Sequence, residues 1–261
     1  KQRSSRWGLV RAKMKGVMRI RSVKSPSAIS INSVFRTGVG SCQHMRQFIS
    51  LLCLLIAGCH LTDPLSGEND PKSEWWELGI TEPRYMTVWV EDTAVEDIRG
   101  RTFLHTGSGS ASGGQPEDGT ESAKGWHGVG SSAKAVVGAD LPKRIYVRWQ
   151  SIVEPQTYRV WVDIPEEARQ LMLTSVNQRC AKAPEQTATY ISSVYLGLAP
   201  GGVVQVWVRD SCHHPVKVAG AQAEIEPLGP SQGKNRGRYA YPVNEKAKRY
   251  IEKFGVPYGS W

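Results

Sequence analysis

No apolar run in this 261-residue chain is long enough to cross a membrane. The longest, Phe48 to Gly58 in "FISLLCLLIAGCHL", has eleven residues, against roughly 20 for a spanning helix. Catalytic signatures are equally scarce. There is no G-x-S-x-G elbow and no H-E-x-x-H pair, which removes the usual serine-hydrolase and zinc-protease readings. "GPSQGK", Gly229 to Lys234, is one residue short of phosphate-loop spacing and lacks a Ser or Thr after the lysine, which argues against a nucleotide site. Acidic residues are missing from the whole stretch before Asp63, and cysteines number only five.

The short apolar run is informative for what surrounds it. From Met45 the order is a basic start with Arg46, an apolar stretch, small residues Ala57 and Gly58, then Cys59. Ile56-Ala57-Gly58-Cys59 resembles the lipobox of bacterial lipoproteins, cut before a cysteine that then receives a diacylglycerol. Residues 45–58 are therefore expected to be a signal peptide and Cys59 the lipidated residue. Several acyl chains on one residue hold a protein on a membrane essentially permanently. His60 at the next position favours, by resemblance to known sorting rules, the periplasmic face of the outer membrane.

Residues 1–44 carry ten Lys and Arg and no acid. Such a leader reads as a transit peptide, a nucleic-acid arm, or a reading frame translated too far upstream; the export signal directly behind it favours the last, with Met45 as the start. The chain's formal charge of +9 is a property of this region. With the eleven basic residues before Cys59 set aside, 22 basic face 24 acidic residues, a net charge of −2, so nucleic-acid binding loses its main support.

Residues 59–74 are polar with two prolines and read as a lipidated N-terminus and flexible tether; residues 75–261 read as one globular domain. Apolar and polar residues alternate over Arg84–Glu91, Arg144–Gln150, Thr157–Asp163, Thr189–Leu198, Val203–Arg209 and Val216–Ile225, which predicts strands. "APGG", Ala199 to Gly202, reads as a hairpin turn, and Glu154-Pro155-Gln156 separates another strand pair. Helices are predicted in "PEEARQLMLTSV" from Pro165 and in "VNEKAKRYIEKFG", with Asn244 as N-cap and Gly255 as stop. The expected fold is mainly β within α+β: an antiparallel sheet or sandwich with two packed helices. Residues 107–133, rich in Gly and Ser, read either as a mobile functional loop or as an excursion without pattern.

"TVWVED", "RVWVDI" and "QVWVRD" place Trp89, Trp161 and Trp207 on the strand face opposite their flanking valines. Either a second layer covers them or they form an exposed aromatic surface suited to a partner protein. With Trp126 and His127 of the long loop and the terminal Trp261, they make the candidate binding set. Trp261 pins the last helix or lines a groove.

Cys42 and Cys53 precede the expected cleavage point, leaving Cys180 and Cys212 as a disulfide in an oxidising compartment or as two free thiols. Cys212, His213 and His214 form a soft-ligand cluster, but adjacent residues on a strand point apart, so no metal site is assigned. His105, His127, Asp118, Glu121 and Ser131 could be assembled into a hydrolase triad, yet their placement on a loop identifies none as catalytic. No cofactor is implied.

"VRWQSIVEPQTY", "LGLAPGGVVQVWV", "GPSQGK" and "KFGVPYGSW" together resemble the bacterial lipoprotein family catalogued as domain of unknown function 2931, over about Trp75 to Trp261. That resemblance supplies no catalytic residues. It implies lipoproteins found beside type VI secretion lipase effectors, acting as immunity proteins: a protein-binding module rather than an enzyme. The alternative is an envelope enzyme or ligand carrier with its site near residues 107–133.

Overall fold

The computed structural model describes residues 63–261, apart from 73–74, 112, 118 and 131–132. Cys59, the signal segment and the basic leader lie outside the described residues, as do Asp118 and Ser131.

Ten strands form two five-stranded sheets. The first contains, in spatial order, β4 (Ala133–Val137), β1 (Trp75–Thr81), β7 (Ser193–Ala199), β8 (Val203–Arg209) and β9 (Val216–Gln222). The second contains β10 (Glu224–Ile225), β6 (Gln156–Asp163), β5 (Pro142–Ser151), β2 (Val88–Asp97) and β3 (Thr102–Ala111). All pairings are antiparallel except β1 with β7. The inner faces share one core, in which Leu78, Leu196 and Val206 of the first sheet meet Val90, Ile145, Val147 and Trp149 of the second. The expected sandwich is the observed one.

Two helices pack on it. Helix α1 (Glu166–Thr174) follows Pro165, carries Glu166 and Glu167 in its first turn where the helix dipole favours them, and buries Ala168 and Met172 in the main core. Helix α2 (Glu245–Phe254) is capped by Asn244, whose side chain accepts the Ala247 N–H at 2.9 Å, and ends at Gly255, φ 75°. Its Ala247 and Tyr250 build a second cluster with Tyr85, Met86 and Ala123. The β7–β8 reversal at Pro200–Gly202 uses positive φ at Gly201 and Gly202, as the "APGG" turn requires.

The single strand predicted over Val216–Ile225 is two, β9 in the first sheet and β10 in the second, and three further strands go beyond the sequence pattern. β1 packs both faces, β3 is a bulged edge strand rich in Gly and Ser, and β4 is five residues long, so none shows clean alternation. The first predicted strand begins at Val88 rather than Arg84, because Tyr85 turns the chain at φ 63°.

Two expectations about loops are corrected. The described part of the tether, residues 63–72, is docked: Ser66 bridges Gln178, and buried Asp70 pairs with Arg179 and accepts the Ala188 N–H at 2.7 Å. The long segment is neither patternless nor detached. Its first residues, from Gly107 to Ala111, belong to β3, and Ala123 and Val129 are buried. Gly113 N–H reaches Glu82 Oε1 at 3.3 Å, Ala123 N–H reaches Tyr250 Oη at 3.0 Å, and Arg209 donates to the Val129 carbonyl.

Candidate functional site on the outer face of the second sheet

Residues directly opposite one another in a sheet share a face. Leu104 of β3 opposes Ala94 of β2, Ala94 opposes Tyr146 of β5, and Tyr146 opposes Trp161 of β6. Tyr146 lies between the inward Ile145 and Val147, and Trp161 between Val160 and Val162, so this row points outward. An apolar stripe therefore crosses four strands, about 15 Å at the usual strand spacing of about 4.8 Å. Its ends are open: Leu104 is 67% and Trp161 39% exposed. The Trp161 ring is held by Tyr146, with centroids 5.4 Å apart, and by the Arg144 guanidinium stacked 4.5 Å from its centroid.

Charged rows flank the stripe on both sides. On one, Glu96 accepts from Lys143 at 2.9 Å and from Arg144 at 2.7 Å, and these bonds hold its carboxyl below the usual range. On the other, Arg148 pairs with Glu91 at 2.8 Å and Arg159 with Glu224 at 2.9 Å. Burial disfavours the Arg148 charge, but its interactions with Glu91 and Tyr146 together outweigh it and raise its pKa. The hydrogen bond from Arg159 to Glu224 raises Arg159 in the same sense. An apolar centre with a charged surround is the arrangement of a protein-contact surface.

The other predicted site residues are dispersed. Trp207 is 7% exposed, covered on the outer face of the first sheet by Trp126, whose ring lies 5.0 Å away edge-on. Gly197 permits this packing, since a Cβ there would come within 2.6 Å of both indoles. Trp89 is half-buried against Tyr241, centroids 5.5 Å apart. Trp261 donates Nε1–H to the Ala123 carbonyl at 2.9 Å and packs on the α2 cluster, which is the pinning role. Of the repeated Val-Trp-Val motif, then, only Trp161 is an open aromatic. The sequence held no signal separating it from the other two, and Leu104 and Tyr146 were missed because cross-strand register is not written locally.

Cys180 and Cys212 form a disulfide, Cα atoms 5.7 Å apart. Cys212 is thereby committed, and His213 Nδ1 lies 2.8 Å from Asp210 Oδ1. Among the described residues no group of three or more His, Cys, Asp and Glu is arranged to hold a metal ion. His105 is exposed and lies 3.0 Å from Asp92 Oδ1; Glu121 pairs with Lys124 at 3.0 Å. His127 is exposed and lines, with Glu82 and Gly113, a cavity of about 200 Å3. Burial pushes the Glu82 carboxyl well above its usual range, against the opposing pull of N–H donors from Val88 at 2.7 Å and Gly113 at 3.3 Å. Both oxygens are thus spent on clasping backbone.

Three of the four sequence blocks that carry the resemblance share structural work. "VEPQTY", "LAPGG" and "VPYGSW" converge on Glu154, which accepts the Gly201 N–H at 2.9 Å and the Tyr258 hydroxyl at 2.8 Å. "GPSQGK" lies over the second sheet, its Ser231 N–H given to Glu91 at 2.5 Å. A carboxylate stands where a phosphate loop would hold its anion. The model of the family described as Protein of unknown function (DUF2931) matches residues 63–259. The chain belongs to this family. The DUF2931 match begins at Asp63 and so takes in the docked segment before β1, which fits the burial of Asp70. No curated protein and no solved structure matches the chain.

Proposed function

We propose that this DUF2931 protein is a lipid-anchored, periplasm-facing binding module of the outer membrane, without catalytic activity of its own. Its partner on this reading is a type VI secretion lipase effector, which it neutralises as an immunity protein by steric occlusion. The observation that carries the binding reading is the stripe Leu104, Ala94, Tyr146 and Trp161 between two charged rows. Tyr146 and Trp161 are rigid aromatic anchors on adjacent strands, and such anchors dominate interface energetics. The lipid anchor and the lipase partner rest on the lipobox at Ile56–Cys59 and on the family resemblance; the described residues contain no helix long and apolar enough to cross a membrane.

A second reading, an envelope enzyme or ligand carrier, rests on Glu82 and His127 lining one cavity. The two hydrogen bonds already on the Glu82 carboxyl favour the binder.

The test uses the full chain and a purified type VI secretion lipase effector, taken from an adjacent gene where one is found. A one-to-one complex, loss of lipase activity at stoichiometric ratio, and at least about tenfold weaker binding for Trp161→Ala are expected. His127→Ala is expected to bind normally. Undiminished lipase activity in excess chain removes the immunity reading, and full affinity in Trp161→Ala removes the stripe as the contact surface.

A further inference from the structure

A second feature lies away from the sheet face, in the groove between α2 and Pro116, Glu117 and Gly119. It encloses about 360 Å3. Its walls are of two kinds. Tyr85, Tyr250 and Phe254 form a continuous row of rings, Tyr85 stacked on Tyr250 at 4.4 Å and 15°, and Phe254 at 5.0 Å from Tyr250. Lys246, Arg249 and Lys253 bring three cations to the same space, at helical spacings of three, four and seven residues that put them on one flank of α2.

On a plain surface helix such cations point to water, away from the apolar face. Here Pro116, Glu117 and Gly119 turn their flank into a concavity. Lys246 is paired with Glu117 at 2.5 Å, and Lys253 donates to the Gly119 carbonyl at 3.1 Å while lying 4.8 Å from the Phe254 ring centre. Arg249 makes no hydrogen bond or ion pair among the described residues; its field reaches Glu117, whose carboxyl is lowered first by the Lys246 bond and also by Arg249, and Glu245, lowered first by the Lys248 bond. Among the described residues Glu117 is the only acid lining the groove, and its side chain is 79% exposed, free to swing out. The floor is fixed by Tyr85, which holds a left-handed φ of 63° while its hydroxyl donates to the Pro116 carbonyl. Bulky residues rarely take that conformation.

We infer that this groove is a binding site for a phosphate-bearing anion. Arg249, Lys246 and Lys253 receive the phosphate oxygens in place of Glu117, and the partly exposed Phe254 ring, backed by the buried Tyr250 and Tyr85, meets an apolar moiety attached to it. Among the described residues lining this space three cations meet one carboxylate, and a guanidinium fork matches a phosphate edge. The source is either a phospholipid headgroup with the first part of its tails or a free phosphate.

Calorimetric titration of the full chain separates these sources, with dihexanoyl phosphatidylglycerol below its micelle concentration in one arm and inorganic phosphate in the other. The expected result is saturable one-to-one binding of the short-chain lipid, with inorganic phosphate at least about tenfold weaker. Affinity for the lipid falls about tenfold or more in the double variant Arg249→Gln, Lys253→Gln and rises in Glu117→Gln. It is unchanged in Lys248→Gln, whose partner is Glu245 on the exposed side. Equal affinity for inorganic phosphate assigns the site to free phosphate and overturns the lipid source. Absence of saturable binding in both arms overturns the site. So does undiminished binding in the double variant at wild-type melting temperature, or weaker binding in Glu117→Gln.

Discussion

The Tyr258 hydroxyl donates to Glu154 Oε2 at 2.8 Å, so one carboxylate in the β5–β6 turn ties the C-terminal tail to the β7–β8 hairpin, whose Gly201 N–H it also accepts. Burial, then this bond, pushes the Tyr258 phenol up to about 12. Glu154→Gln keeps the shape but turns a donor toward one of these donors. We expect it to cost about 1–2 kcal/mol, lowering the melting temperature by about 3–6 °C. Tyr258→Phe should cost about 1 kcal/mol or less, because its end of the bond is exposed to water. The two losses should be less than additive in the double variant; full additivity in thermal melts would show that the residues are not coupled.

Trp207 and Trp161 occupy equivalent places in the Val-Trp-Val motif but opposite environments. Trp207→Ala should cost about 3–5 kcal/mol, as for a large buried aromatic, and Trp161→Ala about 1 kcal/mol or less. Gly197→Ala forces a methyl between the Trp126 and Trp207 rings and should destabilise by about 1–3 kcal/mol with a red shift of tryptophan emission. Denaturant titrations of the three variants provide the check, and similar costs at Trp161 and Trp207 would contradict the partition.

The disulfide closes a loop with a sequence separation of 32. By loop entropy, replacing both Cys180 and Cys212 with Ala should remove about 3–4 kcal/mol. Unfolding in the presence and absence of reductant should show the same difference in the wild-type chain and none in the variant.

Two buried acids give the stability profile opposite limbs. Arg179, aided by the Ala188 N–H, lowers Asp70 from 3.8 to about 2. Its contribution is complete above pH 3.8 and is lost as pH falls toward 2. Glu82 is raised well above 4.5 by burial, so the native state holds its proton longer than the unfolded chain does. Its contribution is greatest below 4.5 and shrinks as pH rises toward the raised value. Urea melts at a series of pH values should show a flatter acid limb in Asp70→Asn and a flatter limb above pH 4.5 in Glu82→Gln. An unchanged profile in either variant would contradict its assignment.

Strands β2 and β5 to β9 were legible as alternation, and both helices were legible from Pro165, Asn244 and Gly255, because those signals are local. β1 was hidden by burial on both faces, with Gly79 at mid-strand making room for the Tyr195 ring. β3 takes its strand character from pairing with β2, since "HTGSGSA" has almost no strand propensity of its own. The candidate surface was half legible. Trp161 could be named from its motif, but its exposure depends on which outer faces are covered by residues 113–130 and by the strap containing Ser231 and Tyr241. That covering is long-range: Trp126 and Trp207 are 81 positions apart, and no periodicity records their contact. Arg144 likewise reads as an ordinary surface charge until the fold lays it on the indole.

The docked segment ahead of β1 has a mechanical consequence. A pull applied at residue 63 meets Ser66 against Gln178, Asp70 against Arg179 and Lys72 against the Val176 carbonyl before it reaches Trp75. Cys180 follows immediately, so tension is handed through a covalent bond to the β8–β9 connection. Load at that end is thus spread by shear over several contacts, while β1, between β4 and β7, is shielded from peeling.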